Sequence, residues 1–369
     1  MKFSAPCLLG LEKLVANDLR HMNIENVCAQ NGRVLFSGGY DAMARANLCS
    51  RYAERILILI DEFEAFDFDT VFERVKKIEW QDYIPFKDAF PVKGSSVNSK
   101  LSSVPALQKI IKKAIASKLS EKYGEQWLDE SGAIHQIQFF MFKNRLSVMI
   151  DTSGDGLHKR GYRENSNQAP IRETLAAAMV DLSHIRSNHI VCDPFCGSGT
   201  ILIEAAMKAM NIAPGIYRNF AFENWSNIDG KFIKTERERS KDLEKRNVPF
   251  EAYGYDISSE AVELSIHNAK FAGVSDKVYV SIRDIEKFED DFEFLSVVTN
   301  PPYGERMLDL KSAQQIYKIM GNKFLQKPHH SYTIISPDDE FEKLFGRAAD
   351  KRRKLYNGML KCNVYMYYK

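Results

Sequence analysis

The chain has 369 residues, 44% of them hydrophobic and 11% aromatic, which is enough for two or three domains with full cores. A formal net charge of +2 argues against a uniformly basic nucleic-acid binder, so local patches must supply any such contact. The sequence has no signal-peptide pattern, no membrane-length apolar run and no Cys-x-x-Cys pair, so we expect a cytoplasmic protein with reduced thiols, no membrane partner and no metal site.

The first 60 residues predict a small ferredoxin-like α+β subdomain. Strand patterns at residues 2–6 and 33–37 flank an amphipathic helix at residues 10–21, and Gly38-Gly39 ends the second strand.

Residues 61–155 predict a second α+β unit that ends in a strand pair at residues 134–141 and 146–150. The helix before this pair, at residues 105–123, has one apolar stripe with lysines beside it. Surface lysines are most often simply solvated, but further basic residues precede and follow this helix, and such groups bind phosphate backbones. Our candidate RNA contacts are Lys93, Lys109, Lys112, Lys113, Lys159, Arg160 and Arg163.

A glycine turn follows the apolar run at residues 189–192, which is typical of a buried strand. The glycines allow a sharp turn and close approach of a ligand, and the apolar stretch from Thr200 predicts a helix whose free N–H groups face the turn. Glycine turns also occur without a ligand. The candidate cofactor-binding residues here are Asp193, Phe195, Cys196, Gly197, Ser198, Gly199 and Thr200.

Two further acids, Asp256 and Asp284, follow short strand patterns. A carboxylate in such a position can accept ribose hydroxyls or an adenine amine, but Asp also caps helices, and each acid alone fits either role. The stretch 207–250 separates Asp256 from the glycine turn, and we interpret it as an insertion whose charged helix at residues 234–246 is solvated.

The segment Asn300, Pro301, Pro302 and Tyr303 follows another strand pattern and is the candidate catalytic motif. The prolines lack N–H donors, so the Asn300 amide and nearby carbonyls remain as acceptors for an exocyclic aromatic amine, and Tyr303 offers a stacking face. An ordinary Asn-Pro turn is the alternative, and the upstream cofactor turn favours catalysis.

The turn and the two acids resemble class I S-adenosylmethionine-dependent methyltransferases over residues 165–369. The resemblance implies a Rossmann-like, doubly wound α/β domain that binds S-adenosylmethionine. Within it, Asp193 and residues 195–200 would hold the methionine end, Asp256 the ribose and Asp284 the adenine.

The strand pair at residues 134–150 and the preceding helix resemble the RNA-binding THUMP domain. The junction, with residues 156–163 reading GLHKRGYR and residues 169–178 reading APIRETLAAA, resembles the THUMP-bearing bacterial large-subunit ribosomal RNA guanine-N2 methyltransferases. This implies a linker at 156–170, a methyltransferase domain at 171–369, and an RNA partner that is 23S rRNA or, as in some relatives, tRNA. Protein partners stay open.

Three junction residues, Asn165, Gln168 and Arg172, either line the cofactor mouth or cap and solvate the next helix. Two rival functions also remain. An adenine-N6 nucleic-acid methyltransferase would use the same Asn-Pro-Pro-Tyr clamp, and a non-enzymatic RNA-binding assembly factor would need neither clamp nor cofactor.

Overall fold

The computed structural model describes residues 1–163, 171–186, 188–289, 291–303, 309–358 and 360–368. These residues form two seven-stranded sheets with helices packed against them. No helix in these ranges is long and apolar enough to cross a bilayer.

The N-terminal half is built on one sheet with the strand order β2-β3-β1-β4-β7-β6-β5. Its strands are β1 Lys2–Pro6, β2 Glu25–Gln30, β3 Arg33–Ser37, β4 Leu57–Glu64, β5 Val92–Val97, β6 Ile137–Phe142 and β7 Arg145–Asp151. Its helices are α1 Glu12–His21, α2 Tyr40–Cys49, α3 Phe68–Lys76 and α4 Val104–Tyr123.

Strand β4 joins the two N-terminal units into this single sheet. It pairs antiparallel with β1 on one side and with β7 on the other. The predicted division after residue 60 therefore falls inside a strand, because the apolar run that begins at Ile56 continues the pairing surface of both units.

Helix α4 illustrates how local sequence sets an element. Ser103 caps it by accepting the N–H of Ala106, Pro105 lies in its first turn, and Gly124 ends it at φ +74°. Its apolar stripe is buried, as the sequence predicted: Leu107, Ile111, Ala114, Ile115 and Leu119.

The C-terminal half is the predicted doubly wound α/β domain, with the strand order β10-β9-β8-β11-β12-β14-β13. Its strands are β8 Ile190–Asp193, β9 Ala252–Asp256, β10 Val278–Ile282, β11 Leu295–Thr299, β12 His330–Ser336, β13 Lys351–Asn357 and β14 Leu360–Tyr367. Its helices are α5 Glu173–Leu182, α6 Thr200–Ala209, α7 Lys231–Asp242, α8 Ser259–Phe271, α9 Leu310–Lys323 and α10 Phe341–Phe345.

The first five strands in this order are parallel, while β14 runs antiparallel to β12 and β13 antiparallel to β14. The chain leaves β8 toward β9 and β10, then returns to β11 on the other side of β8. Such a reversal is where open α/β sheets bind ligands, at the carboxyl ends of the strands. The sequence did not predict β13, whose basic run forms the edge of the sheet.

The charged helix of the insertion before β9 is solvated over most of its surface, as its composition predicted, but one face is buried. Helix α7 packs on α2 of the N-terminal half, and its Glu236 side chain is 4% exposed. That carboxylate accepts hydrogen bonds from Arg45 (Nη2, 2.7 Å) and Arg239 (Nε, 2.7 Å). The insertion therefore fastens the catalytic domain to the N-terminal sheet, because a buried carboxylate needs such partners.

Candidate active site

The carboxyl ends of β8, β9 and β11 bring the predicted site residues to one edge of the sheet. Parallel pairing aligns Asp193 with Gly254 and Cys192 with Val297, so the turns after the three strands begin side by side. The glycine turn, Asp256 and Asn300 thus lie at the same edge.

The glycine turn after β8 has the conformation that its sequence predicts. Gly197 and Gly199 have φ values of +52° and +78°, and a Cβ at Gly199 would meet Ser265 Oγ at 3.0 Å. Ser265 Oγ donates to the carbonyl of Gly197 (2.7 Å), and Asn268 Nδ2 donates to that of Ser198 (3.0 Å). Helix α8 therefore holds the turn from behind, and α6 begins directly after it.

Side chains within the turn face the protein more than a ligand. Cys196 is buried, and a Cβ at Gly254 would lie 3.1 Å from its sulfur. Ser198 Oγ and Thr200 Oγ1 are 3.1 Å apart, and Phe195 is half-buried. The N–H groups of Cys196, Gly197 and Gly199 also bond within the protein, so the turn offers a ligand close approach and the start of α6.

Asp256 lies against the glycine turn despite the insertion before it. Its Oδ2 accepts the N–H of Gly197 (3.0 Å) and its Oδ1 that of Ser258 (3.0 Å). Ser258, and not Asp256, caps α8. Ile257, which the sequence analysis missed, is 72% exposed directly after the acid. A large apolar side chain adjoining a strand-end acid was the signal that could have found it.

Asp284 caps a short helix, which is one of the two roles that the sequence allowed for it. Its Oδ1 accepts the N–H of Glu286 (2.8 Å) and starts the short 3-10 helix Ile285–Lys287. The carboxylate lies beyond the end of β10, and β9 separates β10 from β8, the strand that leads into the glycine turn. The contact of Asp284 with adenine therefore stays a prediction.

Asp193 ties the cofactor turn to the candidate catalytic motif. Its buried Oδ1 accepts the Thr299 hydroxyl (2.6 Å) and the N–H of Phe195 (3.1 Å). Burial raises the pKa of this carboxyl to about 7, with a smaller contribution from Asp256. Thr299 directly precedes Asn300, so one carboxylate positions both sides of the site.

The Asn300 amide oxygen is a buried acceptor that finds no donor within the described ranges. Among the residues that the structure describes, no N–H or O–H lies within hydrogen-bonding distance of its Oδ1. The two residues that follow, Pro301 and Pro302, have no N–H to offer. Leaving such an oxygen unsatisfied costs about 1–3 kcal/mol, so its retention suggests a ligand that donates to it.

Tyr303 differs from its predicted role. The residue is 7% exposed, and its hydroxyl accepts a hydrogen bond from Nδ2 of the buried Asn357 (2.8 Å). In this conformation it does not present the open stacking face expected from the sequence. Asn357 was missed because nothing local connects a residue in β13 to the motif after β11.

The predicted RNA contacts divide into exposed and internal residues. Lys93, Lys109, Lys113 and Lys159 are exposed, and Lys159 pairs with Asp155 (3.0 Å). Lys112 is half-buried, with its Nζ bonded to Glu130 and 3.6 Å from the centre of the Phe90 ring.

Arg160 is not an RNA contact in this structure, which corrects the prediction. Its side chain is 1% exposed and donates to Glu204 Oε1 (3.3 Å) and to the carbonyls of Leu157 (2.8 Å) and Arg51 (2.6 Å). A guanidinium so enclosed has no donor facing solvent for a phosphate. Its basic neighbours in sequence made it look like part of a surface patch.

Arg163 also serves the protein interior. Its guanidinium pairs with Glu173 (2.9 Å) and donates to Thr200 Oγ1 (3.2 Å), so it braces the cofactor turn. Arg172 contacts Glu54 (3.3 Å) across the domain junction. The other two junction residues in question, Asn165 and Gln168, lie outside the described residues.

Family models match the chain in three segments. They are the RlmL ferredoxin-like domain at residues 2–57, the THUMP domain at residues 65–151 and the RMKL-like methyltransferase domain at residues 160–366.

Similar proteins extend along the whole chain. YpsC of Bacillus subtilis, named as a candidate RNA methyltransferase, is 40% identical over 98% of this chain and 94% of its own length. The ribosomal RNA large subunit methyltransferase K/L of Psychromonas ingrahamii is 31% identical over 98% of the chain, which spans about half (49%) of that protein. The crystal structure of SMU.472 complexed with SAH has 39% identity and a TM-score of 0.93, and covers 100% of this chain and 97% of that one.

Proposed function

The chain belongs to the THUMP-bearing family with an RMKL-like methyltransferase domain, and on that premise we propose that it methylates the exocyclic N2 of a guanosine in 23S rRNA. Its cofactor is S-adenosylmethionine, which supplies an electrophilic methyl group when bound. The choices of 23S rRNA as the RNA and of guanosine N2 as the amine are the parts that we propose.

The unpartnered Oδ1 of Asn300 carries this proposal. The lone pair of an aromatic amine is delocalised into its ring, so the amine donates hydrogen bonds but is a poor nucleophile. An acceptor that holds its N–H groups favours a pyramidal nitrogen and directs the lone pair at the methyl group. The lone pair forms the N–C bond as the bond from that carbon to the sulfur of the donor breaks, and the methylated nitrogen, which becomes acidic, then releases its proton to water. Positioning and electrostatics therefore carry the catalysis, and no strong base is needed.

The chain's own residues fit the cofactor. The N–H groups of Gly197 and Gly199 are taken by Asp256 and the Cys196 carbonyl, so a carboxylate of the cofactor would bind at the start of α6, which follows the turn directly. We assign the methionine end to this turn and Asp193, the ribose to Asp256 and the adenine amine to Asp284. The exposed Ile257 would cover one face of the adenine ring, since an apolar side chain there gains contact area when the cofactor binds.

The N-terminal sheet is proposed to hold the RNA. The THUMP match supports this, because the domain resembles RNA-binding modules found on RNA-modifying enzymes. Four of the predicted phosphate contacts are also exposed: Lys93, Lys109, Lys113 and Lys159. The large-subunit ribosomal RNA methyltransferases K/L are relatives over the full chain, which favours 23S rRNA over tRNA. Ribosomal RNA would place the protein in the cytoplasm. A target base in folded RNA must swing out to reach the pocket.

Nucleoside mass spectrometry tests the proposal. We expect 23S rRNA from a gene-deletion strain to lack one N2-methylguanosine that the parent contains, and the purified protein to restore it with S-adenosylmethionine. Restoration of N6-methyladenosine would favour an adenine-N6 methyltransferase. A change confined to tRNA would indicate that tRNA, and not 23S rRNA, is the substrate.

A thermal shift separates an enzyme from a pure binding factor. Ligand that binds the native protein alone raises its stability by about 2.7 kcal/mol at a hundred times the Kd. No increase in melting temperature at millimolar S-adenosylmethionine would favour the binding-factor account.

A further inference from the structure

The β13–β14 hairpin extends past the edge of the sheet that carries the active site. The last pair between β12 and β14 joins Ser336 to Asn363, whereas β13 and β14 stay paired as far as Asn357 and Leu360. Three further residues at about 3.4 Å each carry the hairpin about 10 Å beyond β12. Its tip therefore overhangs the carboxyl edge, where the acceptor motif lies.

A direct contact connects this overhang to the acceptor motif. Asn357, the last residue of β13, is 3% exposed and donates its Nδ2 hydrogen to the Tyr303 hydroxyl (2.8 Å). Tyr303 is three residues after Asn300, so the hairpin forms a wall beside the nucleotide that the Asn300 amide would hold.

The hairpin is basic and has no acidic residue of its own. Residues 351–369 contain no Asp or Glu. Their basic residues are Lys351, Arg352, Arg353, Lys354, Lys361 and Lys369. Arg352 is paired with Glu342 (3.0 Å), whereas Lys354 and Lys361 are exposed and have no acidic partner in the part of the chain that the structure describes.

Strand register groups these side chains on one face. Lys354 lies opposite Asn363, and Tyr356 lies opposite Lys361. Because side chains alternate along a strand, Lys354, Tyr356 and Lys361 share the face opposite to that of Leu355 and Asn357. Two lysines and an aromatic ring suit a phosphate backbone with a base or sugar against the ring.

We propose that this overhanging face, on the other side of the hairpin from the Asn357–Tyr303 contact, is a second RNA-binding surface, in which Lys354 and Lys361 hold backbone phosphates of the RNA that enters the acceptor pocket. The inference rests on the proposed RNA substrate and adds where that RNA lies. Anchoring that backbone limits how far a swung-out base can move away from Asn300.

Protection of an exposed edge strand is the competing explanation, because natural sheets place lysines on free edges. It accounts for Lys351 and Lys354, which lie on the edge strand β13. It also accounts for Lys361, because β14 has no β12 partner beyond Asn363. Edge protection requires charge alone, however, and the same face also carries Tyr356, whose ring offers contact to a base or sugar and adds nothing to that protection.

The test compares two double variants of the full chain with equal loss of charge. Lys354→Gln with Lys361→Gln removes the proposed contacts, and Lys241→Gln with Lys270→Gln removes exposed lysines elsewhere on the catalytic domain. The probe is 23S rRNA from a gene-deletion strain, with Kd measured by filter binding from 0.05 to 0.3 M salt. Light scattering follows aggregation and a thermal scan follows folding.

We expect the hairpin variant to bind about tenfold more weakly at 0.15 M salt, with the slope of log K against log salt reduced by about 1.5, while the control changes less than twofold. Equal losses in both variants, or none in either, would overturn the proposal. Aggregation of the hairpin variant with an unchanged Kd would also overturn it, in favour of edge protection.

The proposed function is tested separately, by measuring methyl incorporation into RNA by the unaltered protein. If that protein methylates no RNA but the hairpin variant still loses affinity, the surface stands and the guanosine activity falls. If it methylates RNA and the hairpin variant binds normally, the surface falls and the activity stands.

Discussion

The two sides of the active site differ in how far their polar groups are satisfied before any ligand is present. On the cofactor side, Asp193 and Asp256 together accept hydrogen bonds from Thr299, Phe195, Gly197 and Ser258, so the cradle is held by its own contacts. On the acceptor side, the buried Oδ1 of Asn300 has no donor among the described residues.

This difference suggests a division of labour. A cradle supported by strand ends and α8 is organised in advance, so little ordering opposes cofactor binding. The acceptor clamp keeps an unsatisfied oxygen whose cost is relieved only when an amine donates to it. This hydrogen bond raises the rate to the extent that it strengthens as the nitrogen gains positive charge in the transition state.

The sharpest way to break this comparison is Asn300→Ala. We expect turnover to fall about 10²- to 10³-fold, the range for losing one preorganised hydrogen-bonding group, while the Kd for S-adenosylmethionine stays within twofold. Single-turnover methylation and calorimetry measure the two quantities. A matched loss of cofactor affinity would mean that Asn300 supports the cradle instead. Asn322→Ala, at an exposed position on α9, is the control and should change neither.

Asp256→Ala should have the opposite profile. Removing a carboxylate that accepts two N–H groups and is assigned to the ribose should weaken cofactor binding about 10- to 100-fold, with a smaller effect on turnover at saturating cofactor. Ser258→Ala is the control, because it removes the α8 cap and should lower the melting temperature without changing the Kd. Similar Kd values for all three proteins would remove Asp256 from the cofactor site.

Asp193→Asn tests whether the charge of this carboxyl matters to the cofactor. With a pKa raised to about 7 by burial, the neutral acid predominates below pH 7 and the carboxylate above it. If the carboxylate holds a positive group of the methionine end, affinity of the unaltered protein should fall about tenfold from pH 8 to pH 6 relative to the Asn variant. If the ratio of the two proteins' affinities does not change with pH, Asp193 only links Phe195 and Thr299 and does not bind the cofactor through its charge.

The smallest expected effects belong to the THUMP lysines. Charge reversal of Lys109 and Lys113 should weaken RNA binding a few-fold and flatten its salt dependence, since both are exposed. Reversal of Lys112 alone should lower stability more than RNA affinity, because its Nζ already bonds Glu130. Filter binding and thermal unfolding separate the two responses, and an RNA loss confined to Lys112 would reverse this assignment.

The sequence was most informative where function depends on consecutive residues. The glycine turn at 193–200 and the Asn-Pro-Pro-Tyr segment each lie at a strand end that apolar runs mark clearly, and parallel strands bring such ends together. The fold class, the family resemblance and the cofactor followed from these segments and are confirmed by the family matches and the related structure with SAH.

Prediction was weaker where a residue's role depends on a partner far away in the chain. Arg160 looked like a surface cation, but Glu204 and carbonyls of the N-terminal half enclose it. The charged helix α7 looked solvated, but Arg45 gives its Glu236 a buried partner. Tyr303 looked like an open stacking face, but it is buried and its hydroxyl accepts a hydrogen bond from Asn357. Such pairs span from 44 to 191 residues, and no local pattern encodes them.

The central claim, that the Asn300 amide holds the 2-amino group of a guanine, is tested most directly by changing that one group in the RNA. Once the modified position is mapped, inosine placed there removes the 2-amino group alone, and 2-aminopurine restores it without the 6-oxo group. We predict that inosine RNA binds about fivefold or more weakly than the parent, because the Asn300 oxygen loses its donor, and accepts no methyl group, while 2-aminopurine RNA is methylated. Methylation of the inosine RNA at the parent rate would contradict the account.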